Sequence, residues 1–237
     1  MKLSVPIYRL KREARRLSRA EGIPLAEALD RMAAREGFAS WSLLAARMAE
    51  QGPGRKLLAE LAPGELVLVA ARPGQGKTLL ALEVLAEAVA AGRRGWFFTL
   101  EYTEADVAER LRDIGAGLAG LQGGLSVDCS DAISADYLLQ VASAAERGSV
   151  VVIDYLQLLD QRRELPELSK QVERLAAFAR ETGAVVLLIS QIDRRFDAVS
   201  GRLPGMADLR LPNPVSLQAF SRACFLHDGE MRLEAVA

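Results

Sequence analysis

One histidine and two cysteines in 237 residues leave little from which to build a protein-held zinc site. Cys129, Cys224 and His227 form no Cys-x-x-Cys or paired Cys/His spacing, so the cysteines read as packed, reduced thiols. Charge of either sign is not in excess: 30 Lys+Arg face 31 Asp+Glu, a formal net charge of −1. The whole molecule therefore has no polycation character, and any nucleic-acid contact must come from local patches. No apolar run approaches the length of a membrane span, and Met1-Lys2-Leu3-Ser4-Val5-Pro6 lacks the apolar core of a secretion signal. The expectation is a cytoplasmic protein with no membrane partner. Internal repeats and low-complexity tracts are also missing, and an apolar content of 50% over this length suits one sizeable core with a small appendage.

What is present begins with Ala71-Arg72-Pro73-Gly74-Gln75-Gly76-Lys77-Thr78, which follows the apolar run from Glu65 to Ala70 and opens the helix-like run from Leu79 to Ala90. Strand, glycine-rich loop, Gly-Lys-Thr and helix stand in the order a phosphate-binding loop requires, although Ala71 occupies the position where the general pattern has glycine. Backbone N–H groups of such a loop point at the α/β-phosphates, and the helix N-terminus adds partial positive charge. Lys77 reaches the β/γ-phosphates, and the Thr78 hydroxyl ligates Mg²⁺. Arg72, Pro73, Gly74, Gln75, Gly76, Lys77 and Thr78 are thus the candidate ATP contacts; the plainer reading is a glycine-rich turn. A second apolar run, Val150-Val151-Val152-Ile153-Asp154, reads as a buried parallel strand delivering a carboxylate, so Thr78 and Asp154 form the candidate Mg²⁺ pair.

Before the loop, Ile7, Leu10, Ala14 and Leu17 fall at helical spacing, with Arg9, Arg12, Arg16 and Arg19 as a basic stripe on another face. That stripe could touch DNA phosphates or an acidic partner, while its plainer reading is a solvated helix face. Pro24 suits the first turn of a second helix with Leu25, Leu29 and Met32; Gly37 ends it, and Phe38, Trp41, Leu44 and Met48 start a third apolar cluster. Residues 1–52 are expected to form a small helical module, with Trp41 in its core and Gln51-Gly52-Pro53-Gly54 as linker. Residues 53–237 are expected to form an α/β domain. Its strands fall near 65–70, 95–101, 125–129, 149–154 and 184–190, alternating with helices near 77–91, 103–118, 134–146 and 166–181. Such alternation predicts a mostly parallel sheet with helices on both faces. The stretch from Asp193 to Pro214 reads as a long functional loop.

Several of these segments together resemble the ATPase domain of DnaB-type replicative DNA helicases: Ala71-Arg72-Pro73 before Gly76-Lys77-Thr78, Phe98-Thr99-Leu100-Glu101, Ile153-Asp154-Tyr155-Leu156-Gln157-Leu158, Ile189-Ser190-Gln191 and, more weakly, Ala207-Asp208-Leu209-Arg210. The similarity runs in order from about Leu57 to about His227. It implies a RecA-like P-loop NTPase core that couples ATP hydrolysis to movement along single-stranded DNA. It also gives Glu101 the role of activating the attacking water, and Gln191 that of sensing the γ-phosphate, so that Lys77, Glu101 and Gln191 are the candidate catalytic residues. The alternatives from the residues alone are that Glu101 merely precedes a helix capped at Thr103-Glu104-Ala105-Asp106, and that Gln191 is a simple cap.

In the resembled family the neighbourhood of the long loop faces a central DNA channel. Arg162 and Arg163, after the magnesium strand, and Arg194, Arg195 and Arg202, after Gln191, are the candidate nucleic-acid contacts, though each alone reads as solvated surface. The family also has a long helical N-terminal domain and a further hairpin with an arginine finger. Here about 52 residues precede the ATPase, and Asp228-Gly229-Glu230-Met231-Arg232 is expected to supply a tight turn and one arginine. Arg222 and Arg232 do not match the finger's spacing, so a neighbouring copy or protein partner is expected to supply that charge. The leading expectation is a DnaB-like ATPase acting on single-stranded DNA. The alternatives are a RecA-like regulatory ATPase that switches a protein partner and, below both, a kinase-type transferase.

Overall fold

The computed structural model describes residues 3–5, 7–50, 52–116, 121, 123–156, 159, 165–193, 195–196, 202–210, 213 and 215–236. Of Tyr8, Ala46, Met48, Ala49 and Glu50 only the backbone is described. Arg162, Arg163 and Arg194 lie outside the described residues, as do Gln157 and Leu158 of the resembled motif.

Helices α1 (Ile7–Glu21), α2 (Leu25–Arg35) and α3 (Trp41–Glu50) close around their own apolar cluster of Leu10, Ala14, Ala28, Met32, Ala33 and Leu44. Trp41 packs against it as a half-buried member. A further helix, α4 (Pro53–Glu60), starts where the sequence suggests a linker. Gly52 is its N-cap and Pro53 its first residue, where a missing N–H costs nothing because first-turn donors have no intrahelical partner. Leu57 then fixes α4 to the main core.

The strands are β1 (Leu66–Ala71), β2 (Gly95–Thr99), β3 (Leu125–Asp128), β4 (Val150–Asp154), β5 (Val185–Gln191), β6 (Arg222–His227) and β7 (Glu230–Ala235). Among the described residues they form one seven-stranded sheet in the order β3-β2-β4-β5-β1-β6-β7. Every pairing is parallel except β6 with β7. Helices α5 (Lys77–Ala90), α6 (Glu104–Asp113), α7 (Ala135–Val141) and α8 (Leu168–Thr182) cover the sheet. Alternate residues serve opposite faces: Leu68, Phe98, Ile153 and Leu188 meet the side of α7 and α8, and Val69, Phe97, Val152 and Leu187 meet that of α5 and α6. Both faces are buried, which is why the central strands read as unbroken apolar runs. Cys224 is buried on β6, and burial pushes its thiol up to about 12, in keeping with a packed reduced cysteine.

Besides α4, three elements differ from expectation, the first being α7, which ends at Val141 rather than near 146. Helix α6 ends at Asp113 rather than near 118, because Gly115 turns the chain with φ +85°. The C-terminal segment holds a full hairpin rather than a turn alone. Asp228 (φ 47°) and Gly229 (φ 80°) join β6 to β7 with six residue pairs in register. Both central φ values are positive, the signature of a two-residue hairpin turn.

Candidate functional site

Because β1, β2, β4, β5 and β6 run parallel, their carboxyl ends share one edge of the sheet, the place where open α/β sheets carry ligand sites. The register brings the singled-out residues to that edge in line. Thr99 lies opposite Asp154 across β2 and β4, and Ala71 opposite Gln191 across β1 and β5.

The loop after β1 turns on two glycines, Gly74 (φ 78°) and Gly76 (φ 87°), and Gly76 is the N-cap of α5 in left-handed conformation. Among the described residues no neighbouring atom stands within 4 Å of a Cβ built on either, so backbone conformation rather than crowding demands glycine. With no side chain capping it, the start of α5 leaves its first N–H groups turned to the loop. Lys77 and Thr78, the first two residues of α5, are both buried. Arg72 is half-buried and Pro73 exposed. Gln75 is pinned from elsewhere: its Oε1 accepts the Asp228 N–H at 2.9 Å, and its Nε2 donates to Asp228 Oδ1 at 3.4 Å. The hairpin turn thus braces the loop, a contact the sequence pattern did not disclose.

Asp154, at the end of β4, is wholly buried and accepts the Thr78 hydroxyl on Oδ2 at 2.7 Å. Its other oxygen, Oδ1, is buried with no hydrogen-bond partner among the described residues. Burial pushes this carboxyl up to about 6; the Thr78 hydrogen bond opposes the rise, the charge of Glu101 adds to it, and the charges of Lys77 and Arg110 oppose it. A hydroxyl joined to a buried carboxylate with one oxygen unmatched is a hard-oxygen donor set suited to Mg²⁺, which accepts one or two protein ligands and fills its shell with phosphate and water. Among the described residues no cluster of three or more His, Cys, Asp or Glu offers a rival metal site.

Glu101 lies two residues beyond β2, exposed, with its N–H donating to Thr99 Oγ1 at 3.1 Å. It does not cap α6. Thr103 does, in a reciprocal box with Asp106, which leaves the Glu101 carboxylate out of the helix start. Gln191 ends β5, and its carbonyl accepts the Arg210 N–H at 2.8 Å. Ile192 bridges Leu209, and Asp193 N–H donates to the Asp208 carbonyl, so this strand end is stitched to the segment around 205–210. Within that segment both Arg202 guanidinium nitrogens reach Asp208 at 2.7 Å, and the Arg202 guanidinium lies 4.7 Å from the Phe196 ring centre. Arg195 is exposed. Arg222 is bound to Glu65 at 2.9 Å, and Arg232 donates to the Pro204 carbonyl at 2.8 Å.

One charged residue at this edge went unread in the sequence. Arg110 on α6 lies 4.1 Å over the Tyr102 ring, and its charge reaches Asp154. A basic residue inside an amphipathic helix gives no pattern to mark it. A period-two alternation does mark β7, where Met231 and Leu233 pack on the core while Glu230 and Arg232 face out.

Known proteins are similar to this region in sequence or in fold. Residues 26–195 match the family described as an AAA domain. A probable plasmid replicative DNA helicase of Chlamydia trachomatis is 28% identical over 186 residues, a match covering 63% of this chain and 40% of the relative. This chain therefore spans about two fifths of that relative's length. Among solved structures, a KaiC-like protein of the hyperthermophilic archaeon Pyrococcus horikoshii superposes with a TM-score of 0.52 at 20% identity, over 68% of this chain and 70% of that one. A DnaB-like replicative helicase, whose structure was determined with its interactions with primase, superposes with a TM-score of 0.56 at 18% identity over 74% of this chain and 56% of that one.

Proposed function

The chain belongs to the AAA domain family and has the RecA-like fold of helicase ATPase domains, and accordingly we propose that it binds and hydrolyses ATP with Mg²⁺ and acts on single-stranded DNA as a helicase or helicase-related ATPase. The observation that carries the chemistry is the Thr78–Asp154 hydrogen bond, which joins the phosphate-loop hydroxyl to a buried carboxylate 76 positions away.

In this reading the loop N–H groups and the start of α5 receive the phosphates, and Lys77 places an ammonium on the β/γ-phosphates. Lys77 is buried, so water screens its charge little. Thr78 and Asp154 would hold Mg²⁺, which supplies neutralisation of phosphate charge when bound. Glu101 orients the attacking water and accepts its proton at a carboxylate oxygen that no helix cap engages. Gln191, beside the loop through its register with Ala71, senses the γ-phosphate and passes its position to the segment tied at Arg210, Leu209 and Asp208. Arg195 and Arg202 follow that strand and, with Arg162, Arg163 and Arg194, supply sequence-independent contacts to DNA phosphates. A neighbouring copy or partner completes the site with an arginine.

ATP turnover measured with and without single-stranded DNA, beside the mass of the assembly, tests this reading. Turnover raised by DNA supports it. Turnover that DNA leaves untouched would reduce it to an ATPase without a DNA role, and no turnover under either condition would overturn it.

A further inference from the structure

Helix α1 carries six cations, Arg9, Lys11, Arg12, Arg15, Arg16 and Arg19, and one acid, Glu13, before its last residue Glu21. They divide into two sets. Lys11 donates to the Asp113 carbonyl at the end of α6, and Arg15 pairs with the Asp113 carboxylate at 2.7 Å. Those two hold the helix against the ATPase fold, where cations suit the negative end of α6. Arg9, Arg12, Arg16 and Arg19 are all exposed, and among the described residues none has an ion-pair or hydrogen-bond partner.

Their spacings of three, four and three residues keep the four on one side of the helix, over a length of about 15 Å at the helical rise. Like charges so placed weaken a helix by roughly 0.2–0.5 kcal/mol per pair. The same module neutralises cations elsewhere: Arg31 pairs with both Glu21 and Glu27. The basic edge continues onto α2, where Arg35 and Arg16 line a shallow groove with Glu13, Leu17, Ala20 and Met32.

We propose that the Arg9, Arg12, Arg16, Arg19 face of α1 is a binding surface for the phosphate backbone of single-stranded nucleic acid, separate from the loops at the nucleotide edge and independent of the ATP reading. The partner is a polyanion because four unpaired guanidinium groups in a line complement a line of phosphates, each of which a guanidinium binds through two parallel N–H donors. The strand is single because the other sides of α1 are packed on α2 and on Asp113, which leaves one straight face along which successive phosphates must lie. A flexible strand, unlike a duplex backbone, can follow a straight line. Between Arg9 and Arg19 the helix has no aromatic residue, so the contact reads phosphate rather than base.

Anisotropy of a labelled oligothymidylate, titrated with the full chain at several salt concentrations, tests this surface. Changing the four residues together (Arg9→Gln, Arg12→Gln, Arg16→Gln, Arg19→Gln) should lower the slope of log K against log salt by about 2.8, from roughly 0.7 per phosphate released. The corresponding four Arg→Lys changes should retain most of the slope. ATP turnover without DNA should match the parent in both. The paired variants Arg9→Gln/Arg12→Gln and Arg16→Gln/Arg19→Gln, each losing about half the effect, carry the test should the fourfold variant lose its helices in circular dichroism. An unchanged slope in the folded variants overturns the proposal and leaves an acidic protein surface as the occupant. A loss seen on duplex but not on the single strand overturns it as well. DNA-stimulated turnover that persists beside an unchanged slope overturns this surface alone and leaves the ATPase reading standing.

Discussion

Among single residues, Glu101 and Asp154 stand at the same sheet edge under opposite conditions. Glu101 is exposed and outside the α6 cap, so Glu101→Gln should leave folding and Mg²⁺-dependent ATP binding intact while turnover drops roughly 10²-fold or more, as for loss of a general base. A turnover assay giving a rate within a factor of two of the parent would assign the water to another group. Asp154 is buried, and its folded-state value of about 6 lies above the ordinary 3.8. Its contribution to stability is therefore fully present below about pH 4 and is lost as pH rises through 6. Asp154→Asn should flatten that dependence, raise the melting temperature of the nucleotide-free protein at pH 7 to 8, and abolish the gain in nucleotide affinity on adding Mg²⁺. Melting curves and titrations with and without EDTA read both effects. An unchanged Mg²⁺ dependence in Asp154→Asn would remove this carboxylate from the metal site. The positions of both were legible in the sequence, Asp154 because it ends the apolar strand β4 and Glu101 because it stands two residues beyond the apolar strand β2, in a segment that resembles the helicase family's. Arg110, Asp228 and the unmatched Asp154 oxygen were not, since their roles come from contacts between segments far apart in the chain.

Among the helices and strands, periodicity placed β1, β2, β4 and β5 within a residue or two, because strands buried on both faces must be apolar throughout. It misplaced the start of α4, where Pro and Gly suggested a break. Pro53 is a helix first residue, and Gly54 is there because α4 crosses α5 closely: a Cβ at 54 would meet Glu83 Cβ at 2.3 Å and the Val84 nitrogen at 2.9 Å. Gly54 N–H also donates to Glu83 at 3.1 Å, and burial holds that carboxyl up at about 7. Gly54→Ala should accordingly cost about 1–3 kcal/mol, since backbone on the far side cannot move aside. Denaturant unfolding checks this. A loss below a few tenths of a kcal/mol would mean that α4 can lift from α5 freely. The hairpin of β6 and β7 was half legible: Asp228-Gly229 marks the turn, and the period-two alternation after it marks the strand, but the brace from that turn to Gln75 needed the fold.

Over the molecule as a whole, a near-zero net charge hides how unevenly the charge is distributed. In the proposed reading, phosphate contacts arise from the arginines that follow β4 and β5 in the sequence and from the exposed arginine face of α1. Changing Arg194 and Arg195 together to Gln should weaken single-strand binding about equally for all sequences and flatten its salt dependence, with ATP affinity barely altered. A salt slope identical to the parent's would take the loops out of DNA binding.

ATP hydrolysis and any coupling of it to DNA depend on the sheet edge assembled from β1, β2 and β4 being an ATP site organised around Lys77. Calorimetric titration of Mg²⁺-ATP into the parent and into Lys77→Ala addresses that dependence without an intermediary, because the substitution removes one ammonium and leaves the surrounding apolar strands in place. Saturable binding by the parent and none by a normally folded Lys77→Ala protein is the expected result. Equal ATP affinity in the two would contradict it.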